Sequence, residues 1–284
     1  MNIRQVRKKI KSVSNVKKIT KAMQLVSAIK MKKAQEQAVA GKSYRDNLEK
    51  IIWRLTSNLS PELSPLLSVS GQTRKKQLVI LVSSNKGLCG AFNFNLFRFT
   101  AKEFKFEEVD FISIGKKAAM FVSRMGGKVV ADFSEGNLLE SVSAIFQTVL
   151  QLFLEDKYQE IVIAYNRFVN TIRYEPEKKV LLPVILEDVQ KTDFPIHGEY
   201  VVEPSPEQII DSLLRSFVEG CIRSAIIESN ASEHSARMIA MKNATENAED
   251  VIDNLIFLRN KIRQEKITYE LLDMITAKTS VESS

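Results

Sequence analysis

Apolar residues near the start of the chain recur every three or four positions, at Ile3, Val6, Ile10, Val13, Val16, Ile19, Met23 and Val26. That spacing puts them on one face of a helix. The stretch to Ser57 has one glycine, Gly41, and no proline. The steps 13 to 16 to 19 are two threes in succession, which breaks a strict heptad. A long, slightly irregular coiled-coil helix is predicted. The other end mirrors it. From Glu207 to Ser284 there is again one glycine, Gly220, and no proline, and a single helix of that length would span roughly 110 Å. Its start is marked by Ser205 as N-cap, Pro206 at the first helical position and Gln208 in the capping-box pattern. The first third, IIDSLLRSFVEGCIRSAII, is apolar on a broad face and is predicted to pack on a globular body. In ASEHSARMIAMKNATENA, the small residues Ala231, Ser232, Ser235, Ala236, Ala240, Ala244 and Ala248 allow a second helix to approach closely. The last third returns to a narrower seam of Val251, Ile252, Leu255, Leu258 and Ile262.

Between these ends the period changes. TSNLSPELSPLLSVSGQTRKK is punctuated by Ser and Pro and reads as a linker over 58–74. Apolar strands then alternate with helical segments: LVILV before AFNFNLFRFTAKEF, VDFISI before KKAAMFVSRM, KVVADF before NLLESVSAIFQTVLQLFLED, and finally EIVIAYNRF. That alternation predicts a mostly parallel α/β sheet covered on both faces. Two further strands, NTIRYE and KVLLPVI, suggest an antiparallel extension before the chain turns back at FPIHGEYVVEPSP. Neither terminal seam would be stable alone in water, and pairing them satisfies both. The predicted fold is therefore α/β plus coiled coil. Segments 1–57 and 207–284 form a long antiparallel two-helix coiled coil, and a Rossmann-like α/β domain at 75–200 is inserted between its arms.

Composition adds limits. With 284 residues, 44% of them apolar and 26% charged, the chain is in the soluble globular range. No apolar run approaches the roughly 20 residues that a bilayer requires. The basic start, MNIRQVRKKIKSV, invites comparison with a transit peptide, but its apolar positions continue in helical register and favour mature structure. Cys89 and Cys221 lack metal or CxxC spacing, which suggests a reducing compartment; His197 and His234 stand alone. The formal charge of +7 is uneven, because eleven Lys or Arg precede the first acid, Glu36. Nucleic acid and acidic protein surfaces both fit that field. The first 43 residues contain no aromatic, which disfavours stacking on single strands.

The stretch SSNKGLCG follows a buried strand and precedes a helix, the setting of many phosphate sites. Its spelling argues against one. Gly87 and Gly90 stand in G-x-x-G spacing, and Lys86 precedes the first glycine, where a Walker lysine follows the second. Gly41-Lys42-Ser43, with helical sequence on both sides, reads as a chance match.

KKITKAMQLVSAIKMKKAQ, SSNKGLCGAFN, YVVEPSP, ASEHSARMIAMKNATENA and NKIRQEKITYEL together resemble the gamma subunits of F-type ATP synthases, in family order over essentially the whole chain. The resemblance starts near Met1, leaving no room for a transit peptide, and lacks the cysteine-bearing insertion of chloroplast versions. It implies a bacterial protein, peripheral on the cytoplasmic side of the inner membrane. The terminal helices would form a non-catalytic rotor shaft inside the alpha/beta hexamer, with the epsilon subunit and the membrane c-ring as further partners, and with no cofactor, metal or nucleic acid. Met23 and Arg237 match positions at the neck of the shaft, facing an acidic collar on beta. Arg263, Gln264 and Thr268 match a stretch that contacts a beta loop, although Glu265, Lys266 and Tyr269 depart from the family there. Lys86 and Cys89 become expected partner contacts on the α/β domain. The competing reading is a nucleotide- or nucleic-acid-binding α/β protein with a coiled-coil clamp, which would need a complete phosphate loop and its acidic metal ligand.

Overall fold

A computed structural model of the chain describes residues 2–56, 64–67, 76–136, 138–184, 203 and 205–282. Apart from Ser64–Leu67, the expected linker over 58–74 lies outside the described residues. So do His197 and, apart from Glu203, the segment running up to Ser205. Two compact units are present, one of Ala28–Ala236 and one of Met1–Ser27 with Arg237–Ser284.

The larger unit is built on five strands: β1 (Gln77–Val82), β2 (Val109–Ile114), β3 (Lys128–Phe133), β4 (Glu160–Phe168) and β5 (Tyr174–Leu182). Their order is β3-β2-β1-β4-β5, parallel throughout except for the antiparallel β4–β5 pair. Successive side chains of a strand point to opposite faces, and here both faces are dry. Leu78, Ile80 and Val82 of β1 enter one core together with Ile112, Ile114, Ile161 and Ile163. Val79 and Leu81 enter the other with Phe111, Val162 and Ala164. The near-continuous apolar spelling of LVILV follows from that double burial.

Helices α2 (Phe92–Glu103) and α3 (Lys116–Arg124) cover the second core, with Phe97 stacked on Phe121 at 4.3 Å between ring centroids. The first core is covered by α4 (Val142–Leu154), by Leu48 and Ile52 of the long helix α1 (Ile3–Thr56), and by Ile210 to Ile226 of the long helix α5 (Pro206–Glu282). The broad apolar face of IIDSLLRSFVEGCIRSAII is thereby accounted for.

The antiparallel extension is one strand where the sequence suggested two. Asn170 Oδ1 accepts from the Ile172 and Arg173 amides at 2.9 and 2.8 Å, so NTIR is an Asx-type hairpin turn, and the strand begins at Tyr174. Pro176 breaks the β spelling in the sequence but is tolerated because β5 is an edge strand.

In the smaller unit, Thr20 and Thr245 share a hydrogen bond at 2.8 Å and Lys17 pairs with Glu249 at 2.8 Å. The paired numbers fall in one helix as they rise in the other, so the two segments run antiparallel. On α5 the more buried positions, Met241, Thr245, Ala248, Ile252, Leu255, Arg259 and Ile262, alternate steps of four and three, which is a heptad seam. On α1 the line departs from expectation. Val6 is fully buried and Val13 half-buried, but Val16, Ile19 and Val26 are 50%, 59% and 53% exposed. The seam runs instead through Lys17, Thr20, Gln24 and Ser27, with Thr20 and Ser27 buried. Val6 and Val13 begin a seven-residue repeat that the small or polar Thr20 and Ser27 continue, while Val16, Ile19 and Val26 face outward.

Candidate functional site

Loop 83–91 leaves the carboxyl end of β1, and the strand order reverses between β1 and β4. In open α/β sheets that crevice is where nucleotides sit. Here the chain fills it with its own groups. The loop also ties down the start of α3, the helix after the neighbouring strand β2. Lys116 N–H donates to Asn85 Oδ1 at 2.9 Å, Lys117 N–H to the Ser84 carbonyl at 3.2 Å, and Ala118 N–H to Ser83 Oγ at 2.7 Å. Asn93 fastens the loop from the other side. Its amide donates to Ser84 Oγ at 2.7 Å and to Cys89 Sγ at 3.4 Å, and its Oδ1 accepts from the Ser84 amide at 3.2 Å.

Across the crevice, fully buried Asn166 of β4 donates to the Phe92 carbonyl at 3.2 Å, and Ser232 of α5 donates to the Asn166 carbonyl at 3.1 Å. Ser235 of α5 donates to the Thr171 carbonyl. Cys89, Phe92 and Ala236 form a small core with Tyr174 against it, and burial pushes the Tyr174 phenol above its ordinary pKa. The small residues at 231–236 therefore let α5 close on the sheet edge where a phosphate would otherwise lie. Gly41-Lys42-Ser43 is helical. Among the described residues no group of His, Cys, Asp and Glu has metal-holding geometry.

The expected contact residues fall into separate places. In the α/β unit, Lys86, Gly87 and Leu88 are exposed at the loop tip, whereas Cys89 is only 2% exposed. The Cys89 thiol faces inward, so it shapes the loop and presents no surface of its own. In the smaller unit Met23 is half-buried, and its carbonyl accepts from Ser27 Oγ at 2.7 Å. Arg237 is 8% exposed. The Thr20–Thr245 register sets Met23 opposite about residue 242, about a turn and a half from Arg237. Arg263, Gln264 and Thr268 are all exposed, and the Thr268 hydroxyl bonds back to the Gln264 carbonyl at 3.0 Å. The same register places Ile3 opposite about residue 262, so these three residues lie on helix that extends past the end of α1. The outward stripe of Val16, Ile19 and Val26, continued by Ile29 at 71% exposed, was not legible as surface from spacing alone. The repeat of 6, 13, 20 and 27 was the available signal.

The family model described as ATP synthase matches residues 2–281. The chain is 35% identical to the ATP synthase gamma chain of Akkermansia muciniphila, with 99% of each chain covered, and 39% identical to that of Methylibium petroleiphilum, with 98% of each covered. This chain belongs to the ATP synthase gamma-chain family. Two solved structures share the gamma-chain fold at low identity. One is the Euglena gracilis mitochondrial ATP synthase rotor in rotational state 1, with TM-score 0.66, 18% identity, and 93% of this chain and 98% of that chain covered. The other is the same organism's OSCP/F1/c-ring assembly in rotational state 3, with TM-score 0.69, 20% identity, and 99% and 95% covered. The long paired helices and inserted sheet of this gamma-family chain are thus the family's architecture.

Proposed function

We propose that the chain is the central-stalk rotor of an F-type ATP synthase, a non-catalytic shaft passing rotation between a proton-driven membrane ring and the nucleotide sites of an alpha/beta hexamer. The observation that carries the reading is full-length kinship with gamma chains of bacterial ATP synthases. The helix pair supports it in physical terms. Val16, Ile19, Leu25, Val26 and Ile29 on α1, and Phe257, Tyr269, Leu271 and Met274 on α5, are large apolar side chains about half exposed or more. Apolar surface on that scale calls for a surrounding partner. The crevice filled by α5 weighs against the nucleotide-binding alternative.

Met23 and Arg237 are assigned to the neck of the shaft, and Arg263, Gln264 and Thr268 to a beta-subunit loop. Lys86 is assigned to the exposed tip of a loop facing beta, with Cys89 supporting that tip from inside. Alpha, beta, epsilon and the c-ring are the partners in this reading, and attachment to the inner face of a bacterial membrane goes through the complex. Among the described residues, no helix is long and apolar enough to cross a membrane.

The test is co-expression with alpha and beta subunits, purification of the complex, and measurement of ATP hydrolysis against ATP-driven proton pumping. Arg237→Ala and Met23→Lys are expected to lower pumping per ATP hydrolysed several-fold. A chain that does not co-purify with alpha and beta defeats the assignment, and unchanged coupling in both variants defeats the placement of the neck.

A further inference from the structure

On the outer face of the α/β unit, α2 and α3 carry positive charge that the chain itself leaves unanswered. Both helices connect parallel strands, so they run side by side in the same direction. The Phe97–Phe121 stack, with 5° between the ring planes, closes the floor between them, and Phe106 meets Phe121 edge-on at 5.7 Å. Along the exposed crest of α3 stand Lys116, Met120 and Arg124, one turn apart. Phe94 and Arg98 stand one turn apart on the crest of α2. Phe94 is 65% exposed and Met120 48%. Each crest therefore alternates a cation with an apolar group at one-turn steps.

No carboxylate balances these cations from within. Glu103 is the one acid on either helix, and Lys178 of β5 holds it at 2.6 Å. Among the described residues Arg98, Lys116 and Arg124 form no ion pair; Arg98 lies over the Phe94 ring at 5.9 Å and donates to no carboxylate. Anionic partners would meet such a face in different ways. Nucleic-acid bases stack on open aromatic rings, but Phe121 covers Phe97 and Arg98 covers Phe94. A bilayer takes up a continuous apolar edge, and here Lys116 and Arg124 flank Met120 on the crest that would have to enter. A helix fits better, because the groove between two packed helices, with axes about 8–10 Å apart, accepts the apolar side of a third.

We propose that the α2–α3 face is the docking surface for an acidic amphipathic helix of a partner subunit. Two carboxylates about two turns apart on that helix pair with Lys116 and Arg124, which stand about 12 Å apart along α3. The apolar residue between them packs on Met120, Phe94 and the stacked floor, and a further carboxylate across the groove meets the Arg98 fork. The inference rests on the reading of the chain as one subunit of a larger complex.

The experiment puts a photo-activated cross-linking amino acid in place of Met120 in the full chain, purifies the complex and maps the adduct by mass spectrometry. The expected adduct is to a helical segment of a partner subunit with carboxylates one to two turns apart around an apolar residue. Its yield should fall at least tenfold when Lys116→Glu and Arg124→Glu are combined, and persist when Lys116→Arg and Arg124→Lys are combined. Both pairs alter exposed side chains alone, so each variant should fold, with the Tm of the free chain moved by less than about 2 °C. The docking surface is overturned if alpha and beta co-purify but position 120 gives no protein adduct, or if the adduct is to lipid, to nucleic acid or to a segment without carboxylates. Full yield in the doubly reversed variant overturns it too. Absence of alpha and beta from the purified material would overturn the shaft reading as well, so the two failures are told apart.

Discussion

Gly115 opens α3 with φ of +91°, and a Cβ there would lie 2.3 Å from the Ser83 carbonyl oxygen. Gly126, at φ +75°, has open space around its missing Cβ. Both positions carry the cost of a left-handed conformation, of order 1 kcal/mol on replacement by alanine; only the first adds a backbone clash. Gly115→Ala is expected to destabilise the chain by at least about 3 kcal/mol, or to prevent folding, and Gly126→Ala by about 1–2 kcal/mol. Urea unfolding of the two variants side by side checks the difference. Glu228 gives a second test. Burial raises its carboxyl pKa above 4.5, against the opposing charge of Arg45 and a hydrogen bond from Ser224. With the folded pKa raised, the native state holds the proton more tightly than the unfolded chain does. Stability is therefore lost as pH rises from about 4.5 through the folded value. Glu228→Gln should raise Tm at pH 7–8, and the gain should shrink as pH falls towards 4.5; a gain independent of pH would show that packing, not ionisation, is responsible. From sequence, Gly90 stood out for its place in a loop, whereas Gly115 carried no motif. Its constraint comes from Ser83, 32 positions away, and no local pattern encodes that approach.

At the scale of elements, period was a good guide wherever one environment acts on the whole element. LVILV, VDFISI and EIVIAYNRF are strands because both faces of the sheet are buried, and the termini are helices because nothing breaks them. The seam of α1 was misjudged for a physical reason. A helix pair that stands alone puts its largest apolar residues inside, but here Thr20 and Ser27 hold the contact while Val16 and Ile19 face out. The small side chains at 20 and 27 bring the helices close there, and Val16, Ile19 and Val26 are left for a partner. Replacing a small seam residue by a large one is then worse than altering the outward stripe. Ala248→Leu, at a position 7% exposed, should cost about 1–3 kcal/mol by overpacking. Val16→Thr should change the stability of the free chain by less than about 0.5 kcal/mol. Equal losses in chemical denaturation would mean that the seam passes through Val16 after all. The phosphate-loop question closed at this scale too. Absent Walker spacing argued against a ligand, and the structure adds that Asn166, Ser232 and the Cys89–Phe92–Ala236 cluster occupy the crevice between β1 and β4, a fact of packing between distant segments that spelling cannot show.

For the whole molecule, the last stretch of α5 poses the sharpest question. Past Ile262 every side chain described, through Lys278, is exposed, and by the antiparallel register that stretch runs beyond the start of α1. Isolated helices of this length are marginal in water, and a lone i,i+4 pair such as Lys266–Glu270 at 3.3 Å contributes only a few tenths of a kcal/mol. Its apolar side chains Leu271, Leu272, Met274 and Ile275 are 51–62% exposed. Such a segment is stabilised by what surrounds it, as a shaft end in a sleeve would be. Two truncations separate its parts. Removing 269–284 deletes apolar surface but keeps Arg263, Gln264 and Thr268, whereas removing 263–284 deletes all three. Neither should move the urea midpoint of the free chain, because every described side chain that they remove is exposed, while the helical circular-dichroism signal falls with the length removed. In the assembled complex the longer truncation should lower pumping per ATP hydrolysed more than the shorter one. A shifted midpoint would reveal packing that the exposed side chains do not suggest. Identical coupling in the two would take Arg263, Gln264 and Thr268 out of the proposed contact with beta and leave the apolar end as the working surface.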